Sequence, residues 1–292
     1  MAASPDGVSS FTSRRGAERF RRAYDTAMAD LWPTNPQTRD IETRFGTVRT
    51  YRVGSPGSPR VVLLCGAGGS SVSWYQYASL GDHFDVLAVD TLGDPGRSVQ
   101  AVPIANATDT ADWLEETFVA LNVTDAHVVG TSYGGWIAVQ HALRQPGRTT
   151  RITLVDGAGF EPVDRRFYGW VILGGLATLM PARLRRRAAT RLVNGTLSND
   201  ELIRLGRAST AFRRRLPPAE LFTDDQLDAL TVPTQLLLGE RSTMHNAARV
   251  TDRARQHIPH LRVETVPDTG HALQVEQPDL VADRIESFTA AD

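Results

Sequence analysis

Three observations in the sequence predict an α/β protein with a mostly parallel central sheet flanked by helices. The first is a set of short, nearly all-apolar runs: "RVVLLCG" (60–66), "FDVLAVD" (84–90), "AHVVGTS" (126–132), "RITLVDG" (151–157), "TQLLLGE" (234–240) and "LRVETVP" (261–267). Strands buried on both faces of a parallel sheet read this way, whereas half-exposed strands alternate. The second is helical patterning between and after them, near 71–80, 106–121, 133–145, 245–257 and 277–290. Strand followed by helix, repeated, puts helices on both faces of the sheet. The third is a break in this rhythm from 158 to about 230, which holds "FYGWVILGGLATLM", "ARLRRRAATRLV" and "FRRRLPPAELF". This segment reads as a helical cap inserted between two strands, at the carboxyl end of the sheet where ligands bind.

Taken in order, residues 1–12 read as a loose tail. Residues 13–31 place Phe20, Tyr24, Ala27, Met28 and Leu31 at helical spacing opposite arginines, an amphipathic helix ended by Pro33. A strand near "TVRTYRV" (47–53) and a turn, "GSPGSP", follow. The expected organisation is therefore an N-terminal tail and helix over 1–44, a core over 45–157 and 231–292, and a cap over 158–230. A chain of 292 residues suits one large domain with an insertion. Its 41% hydrophobic and 22% charged residues are those of a soluble globular protein, and a net charge of −1 directs it to neither nucleic acid nor an anionic membrane. One cysteine, Cys65, excludes an internal disulfide and fits a reducing, cytoplasmic setting. The first thirty residues lack the apolar stretch of a signal peptide. The longest apolar run, "GWVILGGLATLMP", is too short and glycine-broken to insert across a bilayer. The cap's arginines read as solvated helix faces, and its apolar half as a lid over a pocket or simple packing on the sheet.

The chemistry centres on "HVVGTSYGGW", a G-x-S-x-G in which an apolar strand enters and a helical pattern leaves. That setting holds a serine, here Ser132, on a sharp turn with its hydroxyl exposed. The flanking glycines let strand and helix backbones approach, and the helix N-terminus favours developing negative charge. A free hydroxyl is a weak nucleophile and needs a base. His271, in "PDTGHALQVEQPD" between the last strand and last helix, is the candidate; His83, His257 and His260 lie in hydrophilic contexts, His141 within a helix and His127 at a strand start. The glycine-rich "LLCGAGGSS" offers backbone N–H groups to an oxyanion, with Gly66 and Gly68 bordering the pocket. No metal site and no cofactor are expected.

These pieces, in this order, resemble the α/β-hydrolase superfamily over residues 45–290. "GTSYGG", the late Gly270–His271 and "DTLGDPGRS" (90–98) carry the resemblance, and "RFGTVRTY" and "GDPGRS" are similar to bacterial carboxylesterase-like members. The resemblance implies an α/β-hydrolase fold, Ser132 as nucleophile, His271 as general base, and the N–H groups of Ala67 and Tyr133 as the oxyanion hole. The sequence departs from the family at two places. Cys65–Gly66 stands where His-Gly is usual, and Ser242 stands where "GE-x-D" places the aspartate that orients the histidine.

Asp156, at the end of "RITLVD", is the first choice for the missing acid, because some family members place it there. Glu240 is second and Asp268 third; a Ser132–His271 dyad with Ser242 as neutral orienter stays open. Asp156 has a bland alternative, bonding the next loop's amides.

The leading expectation is a serine hydrolase that cleaves an ester, thioester or lactone of a small, largely hydrophobic molecule through an acyl-enzyme on Ser132. Trp74, Tyr75, Tyr77 and Trp136 point to an apolar pocket or to core packing, with Ser242 and Met244 on the pocket wall. Alternatives on the same scaffold are a cyclase, lyase or acyltransferase acting on a polyketide-like compound of secondary metabolism, or a catalytically silent ligand receptor. The expected partner is a small-molecule substrate, with no nucleic acid, no membrane insertion, and a monomeric or homodimeric chain.

Overall fold

The structure, a computed structural model, describes residues 6–163 and 165–290. Chain order runs β1 (Ser10–Phe11), α1 (Arg14–Leu31), β2 (Gln37–Thr43), β3 (Gly46–Val53), β4 (Arg60–Leu64), a 3₁₀ stretch (Ser71–Asp82), β5 (Asp85–Val89), β6 (Val99–Gln100), α2 (Ala107–Ala120), β7 (Ala126–Thr131), α3 (Tyr133–Arg144) and β8 (Thr149–Val155). It continues through α4 (Arg165–Thr178), α5 (Ala182–Leu192), a 3₁₀ turn (Gly195–Ser198), α6 (Asp200–Ser209), β9 (Phe212–Arg213) and α7 (Asp224–Asp228). β10 (Thr234–Gly239), α8 (Ala247–His257), β11 (Leu261–Val266), α9 (Leu273–Glu276) and α10 (Pro278–Thr289) complete it.

The central sheet has the order β11-β10-β8-β7-β4-β5-β3-β2, with β6 on β3. The pairs from β5 through β4, β7, β8 and β10 to β11 are parallel; β3 runs antiparallel to β5 and β2. Five of the six apolar runs become the interior strands β4, β5, β7, β8 and β10, and every residue of β5, β7 and β10 is buried; the sixth, "LRVETVP", becomes the edge strand β11, which is half exposed instead of buried on both faces. One core cluster covers each face of the sheet. The first includes Trp113, Phe118, Trp136 and Leu236, and the second Phe20, Tyr24, Trp74 and Leu237. Side chains of consecutive strand residues point to opposite faces, so Leu236 and Leu237 serve different cores.

This topology positions the site. β10, β8, β7 and β4 are adjacent and parallel, so the residues that follow them emerge at one edge. Those residues are the 239–245 loop, Asp156, Ser132 and the Gly66–Gly69 loop. The loop after β11 carries His271 to the same edge.

Four elements differ from the sequence reading. Residues of the expected tail are tied down: Val8 and Ser9 are buried, Ser9 N–H donates to Gln100 Oε1 at 2.9 Å, and β1 pairs with β9. The strand β2 lies in the segment 1–44 with no apolar pattern to announce it. Four of its residues from Gln37 on are exposed, and its register on β3 supplies its stability. The stretch after the glycine-rich loop that follows β4 winds as 3₁₀ rather than α-helix over Ser71–Asp82. Finally, two of the arginines between β8 and β10 are not plain solvated surface, one buried and one half-buried, each in an ion pair. Arg185 is buried, donates to Leu197 O at 2.9 Å and pairs with Asp200, while Arg214 pairs with Asp94 at 2.9 Å.

The segment between β8 and β10 has a small core of its own, Ala177, Ala189, Leu197 and Ile203, and α6 packs on α1. The glycines of the strand–turn–helix at Ser132 are dictated by backbone contact. A Cβ on Gly134 would stand 2.4 Å from Leu64 O and 2.6 Å from Cys65 O, far inside van der Waals contact. Gly134→Ala must therefore push α3 off the sheet. The expected cost is about 3 kcal/mol, read as a lowered urea midpoint; an unchanged midpoint would refute the packing argument.

Candidate active site

Ser132 sits between β7 and α3 at φ 47° and ψ −114°, a left-handed conformation that costs an L-residue energy. Its backbone is held on several sides. Its N–H donates to Val155 O at 3.1 Å, and its carbonyl accepts from Gly135, Trp136 and Ala158 at 3.0–3.2 Å. The strain therefore persists because the surroundings over-determine it. The side chain is partly accessible, and its hydroxyl faces Met244 Sδ at 3.8 Å. A thioether is a weak acceptor, so the hydroxyl is lightly held.

His271 is placed by the turn Thr269–Gly270, whose backbone packs on β10 and on Val193. Glu276 fixes that turn. Its carboxylate accepts the Gly270 N–H at 2.7 Å and the Gly195 N–H at 3.2 Å, which ties the histidine loop to the segment before α6. Burial pushes the Glu276 carboxyl up in pKa, and the two amides oppose this. The His271 ring is covered by Phe167 and Trp170 of α4, which approach it edge-on at centroid distances of 5.1 and 5.8 Å. The aromatic wall of the site thus comes from between β8 and β10, a source the sequence reading did not single out by residue.

Asp156 follows β8, is fully buried and also has positive φ, 49°. Its Oδ2 lies 2.6 Å from His271 Nδ1 and accepts from Ser242 Oγ at 2.6 Å. Its Oδ1 accepts from Gly239 N–H at 3.0 Å and faces His245 Nε2 at 3.0 Å. Burial by itself would raise this carboxyl. His245 and His271 outweigh burial and hold it well below the usual carboxylate range. Conversely, burial depresses His245, but Asp156 outweighs that and His245 keeps its proton to higher pH than a free imidazole.

Glu240 and Asp268 stand elsewhere. Glu240 Oε2 accepts the Asp268 N–H at 3.0 Å, and Asp268 occupies a left-handed turn position. They secure one another's loops, and neither is bonded to His271. Ser242 also differs from its expected place: its hydroxyl bonds Asp156, not the histidine. His245, at the start of the helical pattern expected over 245–257, is instead a nearly buried partner of Asp156 ahead of α8. The sequence signal was available in "GERSTMH", but its loop setting gave no hint of which carboxylate it would meet.

The glycine-rich loop after β4 lies against Ser132. A Cβ on Gly66 would come 3.2 Å from Ser132 Cβ. Gly68 has φ +75° and donates its N–H to Asp94 Oδ1 at 2.9 Å. Asp90 accepts the Ser71 N–H at 2.8 Å, the Arg97 N–H at 2.6 Å and the Tyr24 hydroxyl. "DTLGDPGRS" is therefore the segment that shapes this loop. Arg214 completes it, bonded to Asp94 and lying 4.3 Å over the Tyr133 ring. Ala67 is exposed, and the Tyr133 N–H belongs to the first turn of α3, where no helical acceptor reaches it. Trp74 is almost wholly buried against Tyr77, so it packs the core and not the mouth of a pocket. Tyr77 donates to Gln274 O and Trp136 to Glu220 O, and Tyr75 accepts from Asn199. The Cys65 thiol is buried 3.5 Å from Ser73 Oγ, and burial pushes it far above the ordinary thiol pKa, so it stays neutral. The remaining buried histidines have structural partners: His141 with Thr149 and Glu115, His127 with Thr153 and Thr289. Among the described residues no group of His, Cys, Asp and Glu is arranged to hold a metal ion.

The raised His245 has a consequence for stability. Its interaction with Asp156 contributes fully below the unfolded histidine value of 6.5 and is lost as pH rises through the folded value. His245→Gln should therefore lose more stability at about pH 5.5 than at about pH 9. Urea midpoints of the two proteins at both pH values would show it, and a gap that widens with pH would contradict it.

Residues 61–284 match the model of the alpha/beta hydrolase family. The chain is 30% identical to carboxylesterase YbfK of Bacillus subtilis, over 95% of this chain and 96% of the relative. It is 28% identical to the same organism's uncharacterized carboxylesterase nap, over 94% and 93%. The crystal structure of naproxen esterase (carboxylesterase NP) from Bacillus subtilis superposes with a TM-score of 0.84 at 27% identity, covering 94% of this chain and 99% of that one. With three quarters of its length matched to the family model, and its fold shared with such relatives, the chain belongs to the alpha/beta hydrolase family.

Proposed function

We propose that this protein is a carboxylesterase that hydrolyses hydrophobic carboxylic esters through an acyl-enzyme on Ser132. The observation that carries the reading is the 2.6 Å contact between His271 Nδ1 and Asp156 Oδ2, with a serine held at φ 47° at the end of the strand paired with β8. The relatives named as carboxylesterases add to it.

In this reading Ser132 Oγ turns away from Met244 and attacks the ester carbonyl carbon while His271 Nε2 takes its proton. Asp156 accepts the Nδ1 proton's hydrogen bond and stabilises the imidazolium. The carbonyl oxygen becomes an oxyanion held by the N–H groups of Ala67 and Tyr133. Collapse breaks the ester C–O bond, and the leaving alcohol takes the proton from Nε2. Water then gives its proton to Nε2 as it attacks the acyl carbon. The second tetrahedral intermediate releases the carboxylic acid, and the proton returns to Ser132. Residues 158–230 act as the cap, with Phe167, Trp170 and Met244 lining an apolar site that excludes water. An aromatic and thioether wall favours an apolar acyl or alcohol group.

Three variants test the assignment with a nitrophenyl ester. Ser132→Ala should lower kcat by about 10⁶-fold. Asp156→Asn should lower it by about 10⁴-fold, because the histidine loses its carboxylate partner. Glu240→Gln should change it by less than about tenfold, since Glu240 holds only a loop amide. A larger loss from Glu240→Gln than from Asp156→Asn, with both proteins folded, would overturn the choice of acid.

A further inference from the structure

The chain's net charge of −1 conceals a sharply polarised face. From Arg165 to Asn199 there are seven arginines and no aspartate or glutamate. Arg185 is buried and paired with Asp200, but Arg183, Arg186, Arg187 and Arg191 of α5 are exposed. The adjoining helix α4 is apolar on its outer side as well as its inner. Gly174 and Ala177 are buried and Phe167 and Trp170 face His271, yet Ile172 is 62% exposed, Leu176 55% and Leu179 71%. Tyr168, Val171, Leu173 and Met180 are exposed beside them, as is Leu184 of α5. Among the described residues, eight of the thirteen exposed large hydrophobic side chains lie on these two helices or in the short link between them.

We propose that the outer face of α4 and α5 is a docking surface for an anionic phospholipid membrane, on which the protein sits peripherally. A cluster of protruding aliphatic side chains bordered by arginines has the pattern of a helix that lies in the lipid–water interface. The apolar side chains enter the acyl boundary, and the arginines meet lipid phosphates, with which their planar forks pair well. Two other occupants fit less well. A second copy brought face to face would set one arginine cluster against another. An acidic protein would satisfy the charge, but it would need a groove shaped to this row of exposed aliphatic side chains, whereas a fluid bilayer needs no complementary shape. No helix among the described residues is long and apolar enough to cross a membrane, so the contact is superficial.

The test is sedimentation of the intact protein with vesicles and does not depend on ester turnover. Binding is expected to vesicles of phosphatidylcholine with phosphatidylglycerol, to be much weaker with phosphatidylcholine alone, and to fall as salt rises. Arg183→Glu, Arg186→Glu and Arg187→Glu combined should weaken partitioning by about a hundredfold or more. Far-UV circular dichroism and the thermal midpoint would report whether that variant is folded. Leu176→Trp supplies a second measurement that does not rely on a disruptive change: its indole fluorescence should be quenched by vesicles with brominated acyl chains. Three results would overturn the proposal: no preference for anionic vesicles, an unquenched Leu176→Trp on bound protein, or a dimer by light scattering that Ile172→Asp dissociates. Retention on immobilised polyglutamate without vesicle binding would point to an acidic protein instead and would equally overturn it.

Discussion

A carboxylate with no access to water must find its whole solvation shell among protein groups. Asp156 does so with four donors, two on each oxygen: Gly239 N–H and His245 on one, Ser242 and His271 on the other. The rest of the site depends on this arrangement. It draws together the end of β8, the loop after β10 and the loop after β11. If the carboxylate were unpaired, the cost of its burial would outweigh most single favourable contacts in the molecule. The loop "GERSTMH" is committed to this task. It supplies a backbone amide, a hydroxyl and an imidazole to one aspartate, and its Met244 borders Ser132.

The absence of an aspartate at Ser242 is thereby explained in physical terms. A carboxylate there would stand beside the buried charge of Asp156, and two such charges in contact repel strongly. A serine donates to Asp156 instead. His245 goes further and brings positive charge to the same carboxylate, which makes His271 one of two imidazoles competing for it. Under the esterase reading, Asp156 orients His271 while sharing its charge with His245.

The Ser132 side is held by a different logic, close backbone packing. Gly130 and Gly134 allow β7, α3 and the end of β4 to approach within distances no side chain permits, and a Cβ on Gly66 would press on Ser132 at 3.2 Å. Asp90 and Asp94 then bind the loop's amides, and Arg214 reaches in from the segment between β8 and β10 to close over Tyr133. That segment contributes to both halves of the site, through Arg214 on one side and Phe167 and Trp170 on the other, while its outer face stays apolar and basic.

Local sequence was sufficient for the features that local physics controls. Buried parallel strands announce themselves as apolar runs, and the turn at Ser132 shows in its glycines, because a Cβ there has nowhere to go. The choice of Asp156 rests on the family resemblance, since some members carry their acid at the end of this strand, and the adjacency of β7, β8 and β10 is a fact of the fold. What the sequence could not reveal were pairings made by residues far apart in the chain. β2 carries no apolar pattern and is a strand only because β3 offers it a ladder. Arg185 and Arg214 look like their exposed neighbours until Asp200 and Asp94 come within reach. His245 reads as the start of a helix; it became a partner of Asp156 because β8 and β10, distant in sequence, end side by side in the sheet. Propensity and periodicity report the energy of a segment with itself, whereas a buried charge is satisfied by whatever the fold brings to it, and only the tertiary structure decides what that is.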